Sequence, residues 1–350
     1  MKALVFNGPS DIRYESYADP QMKTPNGAIV KVRMCSICGS DLHMYHGDTI
    51  GNLDYGDTDH KFCTGHEFIG EVVEVGKDAH SLKVGDQVLA QGGTGCGSCE
   101  NCLTGNAGQC RNATAFGIAP TLEGGQAEYV FVPNADFTLM KTDGAVSDEH
   151  AILLTDALAT AYFGLTRTDM MPGGTVAIVG LGPIGLLAVE LAFVLGAAKV
   201  IAIDPVAKRR DVATSLGAIA LDPGPDLRAK VRDLTNGAMV SSLLEASGAP
   251  KAVESVLSII GFNGTVSCIG LPKKEASVSL FRMVNMNVTV RGGVCPVSQM
   301  WPALVPLINS GRIKGEGLFT HNFNLSDGAE AYRLFNARED DVIKVMINVL

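Results

Sequence analysis

Residues 175–185 read TVAIVGLGPIG, that is Thr175 and four apolar residues followed by Gly180-Leu181-Gly182-Pro183-Ile184-Gly185. The first five positions make a short run rich in β-branched side chains, the pattern of a strand buried on both faces. The next six fit G-x-G-x-x-G, which is common by itself and informative only where a strand feeds it and a helix leaves it. Both conditions hold here, because Pro183 suits a first helical position and the apolar stretch through Leu195 stops at Gly196. The glycines have separate tasks: Gly180 makes the tight turn, Gly182 lets backbone approach a pyrophosphate, and Gly185 lets helix and strand pack closely. Asp204 follows the next predicted strand, Val200–Ile203, where an acid accepts from ribose hydroxyls and repels a 2′-phosphate. This favours NAD over NADP, a preference that Lys208, Arg209 and Arg210 just beyond weaken. The competing explanation, a glycine-rich turn with no nucleotide, does not account for strand, motif, helix and acid coinciding.

Outward from this stretch, strand and helix alternate. A helix over Lys208–Leu216 ends at Gly217, and Ala220-Leu221, Ser242–Glu245, Thr265–Ile269 and Asn287–Val290 are later strands. That rhythm predicts a doubly wound parallel sheet, and six strands suit the full dinucleotide-binding form. Before Asp156 the chain reads differently, as short strands broken by Gly, Pro and Asn: residues 1–6, Ala28–Met34, Phe68–Val75, Gln87–Ala90 and Ala127–Val132. These predict a β-barrel-like domain. Helices over Met300–Ile308 and Leu325–Asn336 and a closing strand over Ile343–Val349 are long enough to return to it.

Composition narrows the class. The chain has 350 residues, which suits two domains, with 46% hydrophobic and 19% charged residues as in well-packed globular proteins. A net charge of −9 gives no general attraction to nucleic acid or to an anionic membrane surface. The opening apolar run stops at Gly8-Pro9, too early for a secretory signal, and the uncharged stretch Thr175–Val189 is too short and too interrupted to span a bilayer. A cytoplasmic location follows as the expectation. Nine cysteines, an odd number, do not fit a secreted disulfide framework, and four of them cluster in a way that points to metal.

Those four, Cys96-x2-Cys99-x2-Cys102-x7-Cys110, have the spacing of a closed tetrahedral thiolate site, hence a structural zinc. An iron–sulfur cluster also takes four cysteines, but its usual spacings differ. A second set lies in Cys38-Gly39-Ser40-Asp41-Leu42-His43 and Gly65-His66-Glu67. A catalytic zinc takes three protein ligands and keeps one position open. Cys38 and His66 suit it, and a carboxylate comes from Glu67 or Asp156. Each has an ordinary alternative: a buried small hydrophobe for Cys38 (as for Cys35, Cys63 and Cys268), a core histidine for His66, a helix N-cap before Ala157-Leu158-Ala159 for Asp156.

Together and in this order, these elements resemble the zinc-containing medium-chain alcohol dehydrogenases, and the resemblance runs from Met1 to Leu350. It implies a β-rich GroES-like catalytic domain over 1–156 and 291–350, and a Rossmann domain with a doubly wound parallel sheet over 157–290. It implies two zincs per chain, one catalytic in a cleft and one structural. Cys38 and His66 match catalytic ligands, with Asp156 in Leu154-Thr155-Asp156-Ala157 where many relatives have cysteine. That variant, with Gly124-Gly125-Gln126-Ala127-Glu128-Tyr129-Val130, is similar to formaldehyde dehydrogenases and to bacterial secondary-alcohol dehydrogenases. Glu67 matches a stand-in ligand, Ser40 the hydroxyl that takes the substrate's proton, His43 the relay residue, and Asp41 a residue orienting His66. Thr160 matches a position near the nicotinamide, and Arg209 one near the adenosine ribose. Phe116, Leu271, Val290 and Trp301 match pocket positions, as does Gly92, which stands where many relatives have an aromatic and so suggests room for a bulkier substrate. The implied activity is reversible hydride transfer between a small primary or secondary alcohol and NAD, giving aldehyde or ketone, in a homodimer or homotetramer. A polyol- or threonine-type dehydrogenase, a formaldehyde dehydrogenase or dismutase, and a non-catalytic nucleotide-binding relative are the alternatives. The Gly- and Asp-rich loop 47–62 is expected at the surface.

Overall fold

The computed structural model describes residues 1–50, 53–54, 61–118, 120–142, 144 and 146–349. Half of the 47–62 loop therefore lies outside the described residues. What is described of it includes a two-residue pairing of Thr49–Ile50 with Leu53–Asp54. The chain forms two compact units. One comprises 1–159, 296–310 and 316–350, and the other 160–295 and 311–315.

In chain order the first unit contributes β1 (Lys2–Gly8), β2 (Asp11–Ser16), β3 (Ala28–Ile37), α1 (Asp41–His46), β4 (Glu67–Val75), β5 (Gln87–Ala90), β6 (Tyr129–Val132), β7 (Leu139–Lys141) and α2 (Asp148–Thr155). Helix α3 (Ala157–Thr166) follows. The second unit contributes β8 (Thr175–Val179), α4 (Pro183–Val194), β9 (Lys199–Ile203), α5 (Ala207–Ser215), β10 (Ile219–Leu221), β11 (Val240–Glu245), α6 (Pro250–Ile259), β12 (Ile260–Cys268), α7 (Leu280–Met286) and β13 (Thr289–Gly292). The chain then supplies α8 (Val297–Asn309), β14 (Phe319–Asn324), α9 (Gly328–Ala337) and β15 (Lys344–Asn348) to the first.

The first unit is built on a seven-stranded sheet in the order β7-β5-β4-β3-β15-β14, with β6 also pairing β3. β3 extends three residues beyond its sequence-based limit, because Cys35, Ser36 and Ile37 pair with β15 and the first two of them also with β4. Ser36 is opposite Glu67 and Ile37 opposite Val345. The core beneath holds Val30, Val32, Phe68, Phe116, Tyr332 and Ile347, all at most 1% exposed. A large apolar side chain hidden to that degree contributes about 1.5–3 kcal/mol. Phe116, expected at a pocket position, is fully buried and edge-on to Phe68 at 5.2 Å.

The second unit is a six-stranded sheet in the order β10-β9-β8-β11-β12-β13, parallel throughout. β12 begins five residues before its sequence-based start, since Ile260 already pairs with Val240 before a shift in register. Among the described residues no helix is long and apolar enough to cross a membrane.

The turn between β8 and α4 tolerates no third-position side chain, because a Cβ on Gly185 would stand 1.8 Å from the Gly180 carbonyl oxygen. Backbone cannot yield there without moving the strand. Gly185→Ala is expected to cost roughly 1–3 kcal/mol, the range for overpacking a tight site. Thermal melting checks this: a Tm several degrees lower is expected, and an unchanged Tm contradicts the reading of this contact.

Candidate functional site

Four potential ligands converge in the first unit: Cys38, His66, Glu67 and Asp156, with one donor atom of each within 4.8 Å of the others. The sheet brings three together. Cys38 follows the end of β3, while His66 and Glu67 stand at the start of neighbouring β4. Asp156 falls in the break between α2 and α3, with φ −156° and ψ −68°. Its carboxylate serves the cluster: Oδ2 accepts from the Cys38 thiol at 3.1 Å and lies 3.5 Å from His66 Nε2. Trp301, expected in a pocket, is buried and donates its indole N–H to the Leu154 carbonyl at 2.9 Å, closing the end of α2 just ahead of Asp156.

Asp41, 1% exposed, holds two ligands at once. Its Oδ2 accepts from the Cys38 amide at 2.8 Å, and Oδ1 lies 3.0 Å from His66 Nδ1, off the line of a full hydrogen bond. Ser40 Oγ lies 3.4 Å from His66 Nε2. His43 turns Nδ1 to Asp48 Oδ2 at 2.9 Å, which leaves Nε2 as the ring's other exchange point. A Cβ on Gly92 would meet His66 Cδ2 at 3.1 Å. An aromatic there would press on the imidazole, so the missing side chain leaves space for His66 itself.

Beneath the cluster lies a residue that the sequence reading missed. Lys344, first in β15 and 1% exposed, donates to Glu67 Oε2 at 2.6 Å, and Glu67 is fully buried. The other oxygen, Oε1, is buried with no hydrogen-bond partner. An orphaned carboxylate oxygen is costly unless something cationic meets it. Burial, then the charges of Asp156 and Glu67, push the Cys38 thiol up to about 11. Burial also raises Glu67 against the opposing pull of Lys344. For His66, burial pulls down but Asp41 and Asp156 carry it well above the ordinary imidazole value. Buried acids that resist ionising, with four donor atoms converging, fit a divalent cation. A thiolate and two carboxylates would be balanced by that cation and the Lys344 ammonium. Gln126 braces the same loops: Oε1 accepts from Thr64 Oγ1 at 2.6 Å and the Tyr332 hydroxyl at 2.9 Å, and Nε2 donates to the Ser36 carbonyl at 2.9 Å.

The four-cysteine lobe is also assembled. Cys102 Sγ lies 3.5 Å from Cys99 Sγ and 3.9 Å from Cys96 Sγ, close to the edge of about 3.8 Å that Zn–S bonds of about 2.3 Å give a tetrahedron. Backbone N–H groups face the sulfurs: Cys99 N to Cys96 Sγ, and both Cys96 N and Asn112 N to Cys110 Sγ, each at 3.3 Å. The Ser98 backbone and hydroxyl lower Cys96, and the Cys96 and Asn112 amides lower Cys110, while burial raises Cys102. Donors aimed at sulfur suit metal-bound thiolates. All nine cysteines are free thiols.

In the second unit the glycine turn stands between β8 and α4, with Gly182 at the helix N-cap and Pro183 at its first turn. Asp204, 4% exposed, accepts from Leu181 N at 2.7 Å through Oδ2 and from Val206 N at 2.8 Å through Oδ1. Each oxygen keeps a lone pair for a further donor. Arg210 binds the Asp204 and Pro205 carbonyls at 2.8 Å, and Arg209 and Thr160 are half-buried.

Two family profiles match the chain: the alcohol dehydrogenase GroES-like domain over residues 24–142 and the zinc-binding dehydrogenase over residues 183–310. The chain is 34% identical to a probable zinc-binding alcohol dehydrogenase of Mycobacterium tuberculosis over 98% of its length and 88% of that protein's. It is 32% identical to an L-threonine 3-dehydrogenase of Bacillus licheniformis, covering 95% of both. Among solved structures, the alcohol dehydrogenase from Thermus sp. ATN1 superposes over 100% of both chains with a TM-score of 0.92 at 34% identity.

Lys344→Met removes one partner of a buried pair, and is expected to destabilise the metal-free protein by about 3–5 kcal/mol. Adding Glu67→Gln is expected to restore most of the loss. Denaturant unfolding of the two variants and of Glu67→Gln alone measures the coupling; additive effects contradict the pairing as the source of stability.

Proposed function

The chain belongs to the zinc-type alcohol dehydrogenase family, and on that premise we propose that it transfers a hydride between a small primary or secondary alcohol and NAD, giving an aldehyde or ketone. The observation that carries this reading is the convergence of Cys38, His66, Glu67 and Asp156, with a buried carboxylate oxygen left unpartnered. In the proposal Cys38, His66 and Asp156 hold a catalytic zinc at rest. Glu67, tied back by Lys344, would be a further carboxylate donor beside that metal. Cys96, Cys99, Cys102 and Cys110 hold a second, structural zinc. Zinc at the first site supplies a Lewis acid that lowers the alcohol's pKa and polarises a carbonyl in reverse.

The chain's own groups do the rest. Asp41 keeps the Cys38 amide and His66 imidazole oriented, which fixes the donor geometry. Ser40, on the turn between Cys38 and α1, takes the alcohol proton. His43 passes it onward, with its tautomer set by Asp48. Gly180, Gly182 and Gly185 with Pro183, Ile184 and the start of α4 take the pyrophosphate, and Asp204 the adenosine ribose, with Arg209 nearby. Thr160 lies on the nicotinamide side. The free thiols agree with a reducing, cytoplasmic setting.

Elemental analysis of purified protein, before and after mild chelation, tests the reading beside NAD-linked oxidation of a panel that includes simple alcohols, polyols and threonine. Two zincs per chain are expected, with turnover lost as the more labile one leaves. Cys38→Ser is expected to remove one zinc and all turnover while leaving NADH binding intact. One tightly held zinc and no oxidation of any panel member would contradict the catalytic assignment. For Asp204→Gly, NAD affinity is expected to fall far more than NADP affinity; an unchanged ratio of the two dissociation constants counts against NAD as the cofactor.

A further inference from the structure

One buried acid stands apart from all of this chemistry. Glu245, fully buried, ends β11 opposite Val179, the residue before Gly180. Its Oε1 accepts from the Ser247 amide at 2.9 Å and from the Ser247 hydroxyl, and the Gly248 N–H is shared between both carboxylate oxygens at 3.2 Å. Ser247 Oγ accepts in turn from the Ala249 amide at 3.1 Å. The carboxylate thus folds the chain leaving β11 back on itself, into a loop over 246–249 from which α6 departs. Burial raises this carboxyl, and the Ser247 and Gly248 donors only oppose the rise. A glycine or proline would form a surface turn without hiding an acid.

The loop is wedged between its neighbours. Ala246 N donates to the Val179 carbonyl at 2.8 Å. A Cβ on Gly180 would meet Ser247 Cβ at 2.7 Å and Ser247 N at 2.9 Å. One on Gly248, whose φ is +63°, would meet the Leu271 carbonyl oxygen at 2.5 Å, and one on Gly270 would meet Gly248 N at 2.0 Å. The turns that leave β8, β11 and β12 are therefore in backbone contact, and the loop that Glu245 shapes is the middle one.

The strand order reverses between β8 and β11. In an open parallel sheet, ligands bind beyond the carboxyl ends of the strands at that point. The half built on β8–β10 carries the glycine turn and Asp204, which serve the pyrophosphate and the adenosine ribose. The half that starts at β11 is left for the other mononucleotide. We propose that Glu245 and Ser247 form a clasp that fixes loop 246–249 as the nicotinamide-side wall of the dinucleotide crevice, which makes Glu245 a positioning residue for the reacting half of the cofactor. The inference rests on the NAD reading above.

Binding titrations of the zinc-loaded protein test it with two probes, NADH and AMP, because AMP occupies only the adenosine half. Ser247 is exposed, so Ser247→Ala removes the clasp's hydroxyl with little threat to folding, and Glu245→Gln keeps shape while removing charge. Each is expected to weaken NADH roughly three- to tenfold, the effect of losing one ordinary hydrogen bond. AMP affinity is expected to stay within about twofold of wild type. Ser247→Thr is expected to restore NADH affinity. Unchanged NADH affinity in both variants overturns the proposal. Equal weakening of NADH and AMP overturns it too, since the loop would then serve the sheet as a whole. A wild-type protein that binds neither probe overturns the dinucleotide reading itself.

Discussion

The register of three strands fixes the chemistry of the first unit. With Ser36 opposite Glu67 on one side of β3, and Ile37 opposite Val345 on the other, the ends of β3, β4 and β15 meet at one place. Cys38 lies one residue past the first, His66 immediately precedes the second and Glu67 opens it, and Lys344 opens the third. A slip of one residue in either pairing would turn each of these side chains to the other face of the sheet. Gln126 ties the same junction by bonding the Ser36 carbonyl, Thr64 and Tyr332 together. The placement of Cys38, His66 and Glu67 is thus a property of the sheet, held by backbone and buried polar bonds, while Asp156 comes from the break between α2 and α3.

Charge balance follows from that placement. Burying Glu67 beside Cys38 and the partly buried Asp156 concentrates acidic groups where water screens them poorly, and the structure answers with one buried ammonium. Lys344 engages one Glu67 oxygen and leaves the other buried without a hydrogen-bond partner. The arrangement gives Glu67 a tethered, intermediate role between structural ion pair and metal ligand. The lobe cysteines meet a simpler version of the problem, with backbone N–H groups aimed at their sulfurs.

Much of this was legible in the chain. TVAIVGLGPIG announced the parallel sheet because its strand, glycines and helix are consecutive, and the 96–110 cysteines announced a metal lobe because their spacing is local. Cys38, His66 and Asp156 were visible as candidates, but the choice between N-cap and ligand for Asp156 required the break between α2 and α3. Lys344 was hidden because its partner is 277 positions away, although a lone lysine in the apolar run Val342–Ile347 is a signal of sorts. The resemblance expects Phe116 and Trp301 in a pocket; in the structure both are buried, Phe116 edge-on to Phe68 and Trp301 bonded to the Leu154 carbonyl. Gly92 was read as space for substrate, whereas its nearest obligation is to the His66 ring. Glu245 carried no sequence signal, since an acid at the end of an apolar strand is ordinary until its depth and its loop are known.

The central claim is that the buried Cys38–His66–Glu67–Asp156 cluster is a metal centre balanced by Lys344. Anomalous diffraction from crystals of the protein, collected on either side of the zinc absorption edge, tests it most directly. The account predicts two zinc peaks per chain. One lies among Cys96, Cys99, Cys102 and Cys110, and the other among Cys38, His66 and Asp156, with the Lys344–Glu67 pair intact beside it. A peak at the lobe alone, in fully loaded protein, would contradict it.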